Sequence, residues 1–214
     1  LLVLQGMDTS GKSGVIEHVG KAMNLLGVRI SAFKQPSDEE LAHDFLWRIR
    51  RALPAYGQIG IFDRSHYEDV LVVRVHDLVP EDEWRRRYGQ ITRFEEELAD
   101  FGVTVVKCLL HISYDYQRER LLARLDDPAK RWKFSEADVA ERRHWPAYQE
   151  AYADAVRHCS GAAPWYVVPA DRKGYRKWAV GRILPATLGE LDPQYPDRQD
   201  ELDVDDLRAR LLRS

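Results

Sequence analysis

The 214-residue chain has two cysteines and a single asparagine, Asn24. Two cysteines form at most one disulfide, which excludes a disulfide-stapled secreted scaffold. Cys108 lies in the apolar run VTVVKCLL, so free buried thiols in a reducing cytosol are expected for it and Cys159. No run of 18 apolar residues exists, so no segment is long enough to span a bilayer as a helix. No signal peptide is visible, although Leu1 already lies inside an apolar run, which points to a native N-terminus further upstream. Internal repeats and low-complexity segments are absent. Excess positive charge is also lacking. Lys and Arg number 32 against 35 Asp and Glu, for a net charge of -3, which argues against a globally basic nucleic-acid binder.

What is present is an apolar body with an acidic end. The chain is 44% hydrophobic, enough to bury a core. From Glu190 to Ser214 there are eight acids and four bases, while the other 189 residues carry 28 bases and 27 acids. Any polyanion-binding surface is therefore local. Apolar runs at Leu1–Gln5, Val28–Phe33, Gln58–Asp63, Val103–Ile112 and Trp165–Pro169 predict five strands. Helical patterns near 12–26, 37–53, 65–78, 80–101, 113–125, 135–158 and 172–188 separate them. Continuous apolar strands divided by helices predict an α/β fold with a parallel sheet covered on both faces. Ser37 with Glu40 reads as a capping box, and Ser135 with Asp138 as a weaker cap. Pro193 and Pro196, then a run of acids, mark a domain of 1–191 followed by an acidic extension over 192–214. Asp203–Leu212 predicts a short amphipathic helix.

Residues 6–13 read G-M-D-T-S-G-K-S and match G-x-x-x-x-G-K-[ST] at every fixed position. The match follows a predicted strand and opens a predicted helix, the context a phosphate loop requires. Gly6 and Gly11 permit close backbone approach. The loop amides form an anion nest, and the helix dipole adds to it. Lys12 supplies a full charge, and the Ser13 hydroxyl suits a magnesium ion. Asp8 would repel a phosphate unless a metal intervenes; the alternative is a turn aspartate bonding its own backbone. Asp63 ends the third strand, where open α/β sheets place ligands, and Arg64 beside it suits bidentate phosphate contacts. Asp8 and Asp63 are thus candidate Mg2+ ligands; the alternative for the second pair is a surface Asp63–Arg64 cap.

Two classes drop out. A GTPase needs N-K-x-D, yet Leu25 follows the single asparagine. A typical ATPase motor carries Glu after the strand-end Asp, where this chain has Arg64. Transfer to another phosphate needs no such base, because the acceptor oxygen is already anionic. Arg118, Arg120 and Arg124, then Lys130, Arg131 and Lys133 with Trp132 and Phe134, surround a break at Pro128. Such a segment predicts a lid over about 124–140, with the two aromatics docking it on the core. The alternative is a solvated helix face, on which Arg120 and Arg124 would repel. Arg85–Arg87 and Arg142–Arg143 read as solvated faces, and His66 as a hydrogen-bonded structural residue.

The stretches LQGMDTSGKSG (4–14), FKQPSDEELAHDFLWRI (33–49), FDRSHYEDVLVVRV (62–75), ARLDDPAKRWKFSEAD (123–138) and APWYVVPADRK (163–173) together resemble the polyphosphate kinase 2 family. The resemblance implies a thymidylate-kinase-like P-loop fold of three α/β/α layers with a helical lid. It implies reversible phosphoryl transfer between inorganic polyphosphate and a nucleotide, with Mg2+, or Mn2+ in its place. By motif position it assigns Asp8, Lys12, Asp63 and Arg64 to catalysis and Arg124, Arg131 and Lys133 to the lid. Lys34, in F-K-x-P, would face the phosphate channel. Glu68 and Asp69 fall where subclasses differ; relatives with His-Tyr-Glu-Asp there accept nucleoside mono- and diphosphates. A cytoplasmic homo-oligomer without nucleic-acid or membrane partners is expected. Ser13 departs from the family's usual glycine, and some relatives carry asparagine in place of Asp63. The competing expectation is an ATP-dependent nucleoside monophosphate kinase.

Overall fold

A computed structural model describes residues 1–195 and 203–213. In chain order the elements are β1 (Leu2–Gln5), α1 (Lys12–Gly20), β2 (Val28–Ala32), α2 (Asp38–Leu41), α3 (Trp47–Ala52) and β3 (Ile59–Asp63). Then come α4 (Val72–Val75), α5 (Glu81–Asp100), β4 (Val106–His111), α6 (Tyr114–Asp126) and α7 (Glu136–Glu141). α8 (Trp145–His158), β5 (Trp165–Pro169), α9 (Lys173–Leu191) and α10 (Val204–Arg213) complete the described residues.

All five expected strands form one parallel sheet in the order β2-β3-β1-β4-β5. β1 and β3 are buried throughout or nearly so, as runs without polar alternation require. α1 packs on α9, while α4, α5 and α8 pack on one another as a separate group. β1 lies between β3 and β4, with connections leaving in both directions. The carboxyl ends of these central strands therefore border the crevice where open α/β sheets take ligands. Cys108 and Cys159 are free and buried. No described helix is long and apolar enough to cross a membrane.

Several helices are shorter than their patterns suggested. The 12–26 helix stops at Gly20 and is followed by a 3-10 turn over Leu25–Gly27, whose start Asn24 caps. The 37–53 helix is two pieces. Ser37 and Glu40 form the expected capping box, but Asp44 turns the chain by accepting from the Leu46 amide before α3 begins. The 65–78 segment is a 3-10 turn over His66–Val70, then α4; Leu71, at φ -105° and ψ -80°, interrupts the helical path. The 135–158 helix divides into α7, a 3-10 turn over Arg142–His144, and α8, whose first turn carries Pro146. Ser135 and Asp138 make a full capping box rather than the weak cap expected. α9 runs to Leu191, and Asp192 leaves it at φ 41°. The expected amphipathic helix forms as α10; Pro196 lies outside the described residues.

Candidate active site

The phosphate loop joins β1 to α1. Gly6 has φ 149°, and a Cβ there would lie 2.5 Å from the Leu110 carbonyl oxygen and 2.8 Å from Ser10 Oγ. Thr9 and Gly11 are left-handed, with φ 68° and 94°. Ser10 donates its amide to the Met7 carbonyl at 3.1 Å, closing the loop, and Gly11 caps α1 without any side-chain bond. The first-turn amides of α1 thus have no side-chain acceptor, as an anion site requires. Lys12 is buried and curls over the loop, donating to the Gly6 and Met7 carbonyls at 2.7 and 3.4 Å. Burial pulls its pKa down, and Asp8 and Asp63 among its neighbours push it back up. Ser13 is exposed one residue further on.

Asp63 ends β3 in register with Leu4, so its backbone lies beside the start of the loop. Arg64 then turns left-handed at φ 64°, with its amide on the Leu4 carbonyl at 3.0 Å. That turn carries its guanidinium to Asp8, at 2.7 Å. Burial works against the Arg64 charge; Glu68 and Asp8 more than offset it and hold its pKa above the ordinary arginine value. Glu68 accepts from Gln5 at 3.1 Å. Burial pushes the Glu68 carboxyl up, against Arg64 and Lys12.

The expected residues therefore divide. Gly6, Asp8, Gly11, Lys12, Asp63, Arg64 and Glu68 come together around the loop. Asp69 turns away: it pairs with Arg87 at 2.9 Å and approaches Arg48 at 3.9 Å. Burial lifts its carboxyl to about 6 despite both arginines. The Lys34 side chain is exposed, and its carbonyl accepts from Arg48 at 2.8 Å. Arg124 donates to the Lys133 carbonyl at 3.1 Å and lies 3.4 Å from Asp138. Arg131 folds back on the Leu125 carbonyl at 2.7 Å, and Lys133 covers the Trp132 ring. From the lid, burial raises the Asp138 carboxyl, and Asp8 and Arg64 at the loop act on it in opposite directions.

Three expectations need correction. Trp132 does not dock on the core; it is 77% exposed, because its turn projects from the end of α6. Arg87 is not on a solvated face, since it is clamped between Asp69 and Glu83. Arg142 is likewise engaged: it lies over the Tyr114 ring and donates to Gln117 at 2.8 Å, and Gln117 donates to the Asp8 carbonyl at 3.2 Å. The reading of His66 holds. It is fully buried, 3.4 Å from Glu95, and burial lowers its pKa. Arg48, Gln5, Gln117, Tyr152 and Arg176 were missed. Tyr152, on α8, is buried beside Glu68 and Arg64. Arg48 and Gln5 lay inside singled-out stretches, FKQPSDEELAHDFLWRI and LQGMDTSGKSG; Gln117, Tyr152 and Arg176 did not.

A phosphate loop at the crevice of a parallel sheet, with a buried lysine and an arginine turned onto it, defines a P-loop phosphotransferase site. The family model described as Polyphosphate kinase 2 (PPK2) matches residues 1–196, and the chain belongs to that family. It is 53% identical to an AMP/ADP-polyphosphate phosphotransferase of Meiothermus ruber over 197 residues, covering 92% of this chain and 74% of the relative. It is 45% identical to an ADP-polyphosphate phosphotransferase of Rhodopseudomonas palustris, covering 92% and 73%. The crystal structure of Polyphosphate Kinase 2 from Arthrobacter aurescens TC1 superposes with a TM-score of 0.95 at 48% identity, covering 100% of this chain and 75% of that one.

Proposed function

We propose that the protein transfers a phosphoryl group between inorganic polyphosphate and AMP or ADP, or GMP or GDP, reversibly. The observation that carries this reading is the complete phosphate loop with Lys12 inside it and Arg64 folded onto Asp8, in a chain of this family. One phosphoanhydride bond breaks and another forms. The attacking oxygen belongs to a phosphate that is already ionised, so no general base is needed, and Arg64 follows Asp63 where a water-activating acid would stand.

The roles follow from charge and position. Lys12, the loop amides and Ser13 bind donor phosphates. Arg64 stabilises charge that spreads over the moving group. Asp8 and Asp63 both act on Lys12, so both carboxylates border the loop; two carboxylates with substrate phosphates suit Mg2+. Held by Asp8 and Asp63, Mg2+ would supply positive charge against the charge of the transferring phosphates. Arg124, Arg131 and Lys133 act from the lid over about 124–140, Lys34 faces the phosphate channel, and Glu68 and Asp69 lie in the segment that distinguishes acceptance of mono- and diphosphates. The catalytic domain is 1–191, with 192–214 an acidic extension. A cytoplasmic setting is supported by the two free thiols, and self-association is open to sedimentation analysis.

The test is a donor–acceptor grid. Polyphosphate or ATP is supplied with Mg2+ to AMP, ADP, GMP, GDP and dTMP, and products are separated by chromatography. ADP and ATP formed from AMP and polyphosphate are the expected products. Transfer from ATP alone would instead make the protein an ATP-dependent nucleoside monophosphate kinase.

A further inference from the structure

Four cations are buried among the described residues: Lys12, Arg48, Lys107 and Arg176. A buried cation is costly unless an acid or a ligand compensates it. Arg48 lies 3.6 Å from Glu40 and 3.9 Å from Asp69, and Lys107 lies 2.5 Å from Glu95. Among the described residues, Lys12 and Arg176 form no ion pair. Both border the phosphate loop.

Arg176 sits in the first turn of α9 and is 5% exposed. Its Nη1 donates to the Ala170 carbonyl at 2.6 Å and to the Tyr116 hydroxyl at 3.0 Å. Its Nε is buried without a partner. The rest of the guanidinium is pressed against Gly11. A Cβ at Gly11 would lie 2.5 Å from Nε and 2.6 Å from Cζ and Nη2. Gly11 is the left-handed residue that caps α1 and orients the amides of the loop. Arg176 therefore touches the end of β5, the helix leading to the lid, and the hinge of the loop. It brings there a positive charge that no described side chain balances.

We propose that Arg176 is a positioning residue for the donor phosphates. It holds Gly11 in its left-handed turn, and the anion in the loop supplies the counter-charge that the fold withholds. This rests on the reading that the loop takes polyphosphate. A guanidinium serving only as a strut would need its hydrogen bonds but not its charge.

Arg176→Gln keeps a polar side chain and removes the charge; Arg176→Lys keeps the charge. Initial rates are measured with polyphosphate and AMP varied in turn, and melting is followed with and without inorganic tripolyphosphate. Arg176→Gln is expected to raise KM for polyphosphate about 10- to 100-fold, the range for losing a charge-assisted contact, and to leave KM for AMP within about twofold. Arg176→Lys should recover part of that loss. Tripolyphosphate should raise the melting temperature of the wild type more than that of Arg176→Gln. Equal changes in both KM values, or a lowered melting temperature with an unchanged KM for polyphosphate, would overturn the proposal. If Arg176→Gln does not fold, the charge is removed with Arg176→Met, which keeps most of the side chain's length, and the same split is read on that variant. If the wild type uses ATP and not polyphosphate, the donor assignment fails by itself, and the Arg176 comparison is made on KM for ATP.

Discussion

Two charged clusters lie at opposite ends of one design problem. Behind β4, Lys107 donates to Glu95 at 2.5 Å, to the Tyr67 hydroxyl at 2.8 Å and to the Cys159 carbonyl at 2.5 Å. Tyr67 donates to Glu95 at 2.7 Å, and no member of the cluster is more than 1% exposed. At the phosphate loop, Lys12 donates its hydrogen bonds to carbonyls and forms no ion pair among the described residues, and Arg64 meets Asp8 with both side chains about a third exposed. The first cluster satisfies its charges internally, so its lysine serves the fold. The second leaves positive charge to be met from outside, so its lysine serves a ligand. Burial alone does not separate the two lysines; their partners do.

The largest expected effect comes from breaking the closed cluster. Lys107→Met leaves Glu95 buried and unpaired and should cost about 3–5 kcal/mol in urea unfolding. Adding Glu95→Leu should restore most of that, since a matched apolar pair is often no worse than a buried ion pair. A single variant as stable as wild type would show that the network contributes nothing. At the open cluster the effects should be reversed. Lys12→Ala should lower kcat by about 10²-fold or more while leaving the melting temperature near that of the wild type. Near-normal turnover by folded Lys12→Ala would remove Lys12 from the chemistry.

Asp69 lies between the two regimes, paired with Arg87 yet strongly desolvated. Its folded pKa is about 6, above the ordinary 3.8. The folded state therefore holds the proton more tightly, and the stability this adds at low pH is lost as pH rises from about 4 through 6. Asp69→Asn lacks that slope. Its stability relative to wild type should improve by about 1–3 kcal/mol between pH 4 and 6, and a parallel pair of pH curves would refute the assignment. The smallest effect is a silence. Burial pushes the Cys108 and Cys159 thiols up to about 12 and about 11. Neither should react with a thiol reagent at pH 8 in the native protein, and both should react once it is unfolded. Rapid labelling of native protein would mean that the β4 region opens.

The parts of the site legible in the sequence are those whose geometry is local. The spacing of Gly6, Gly11 and Lys12 determines a loop whose lysine begins a helix, because backbone torsions and one helical turn set the distances. The apolar runs of β1, β3 and β4 likewise determine the parallel centre of the sheet with Asp63 at a strand end, since strands buried on both faces cannot alternate; the edge strands β2 and β5 stay largely exposed. Helix lengths were less legible. Asp44 and Ser65 compete for backbone amides with side-chain bonds that periodicity does not register.

Only the tertiary structure decided which charges meet. Asp8 pairs with Arg64 across 56 residues, Gln117 reaches the Asp8 carbonyl across 109, and Arg176 reaches Tyr116 across 60. It also turned Asp69 away from Glu68, its neighbour in sequence, and placed Arg87 and Arg142 in contacts that their acid-rich helices did not suggest. The physical reason is that the energy of a charge depends on what surrounds it after folding. A sequence carries the charge, but its solvation and its partner exist only once the sheet has brought distant segments to one edge.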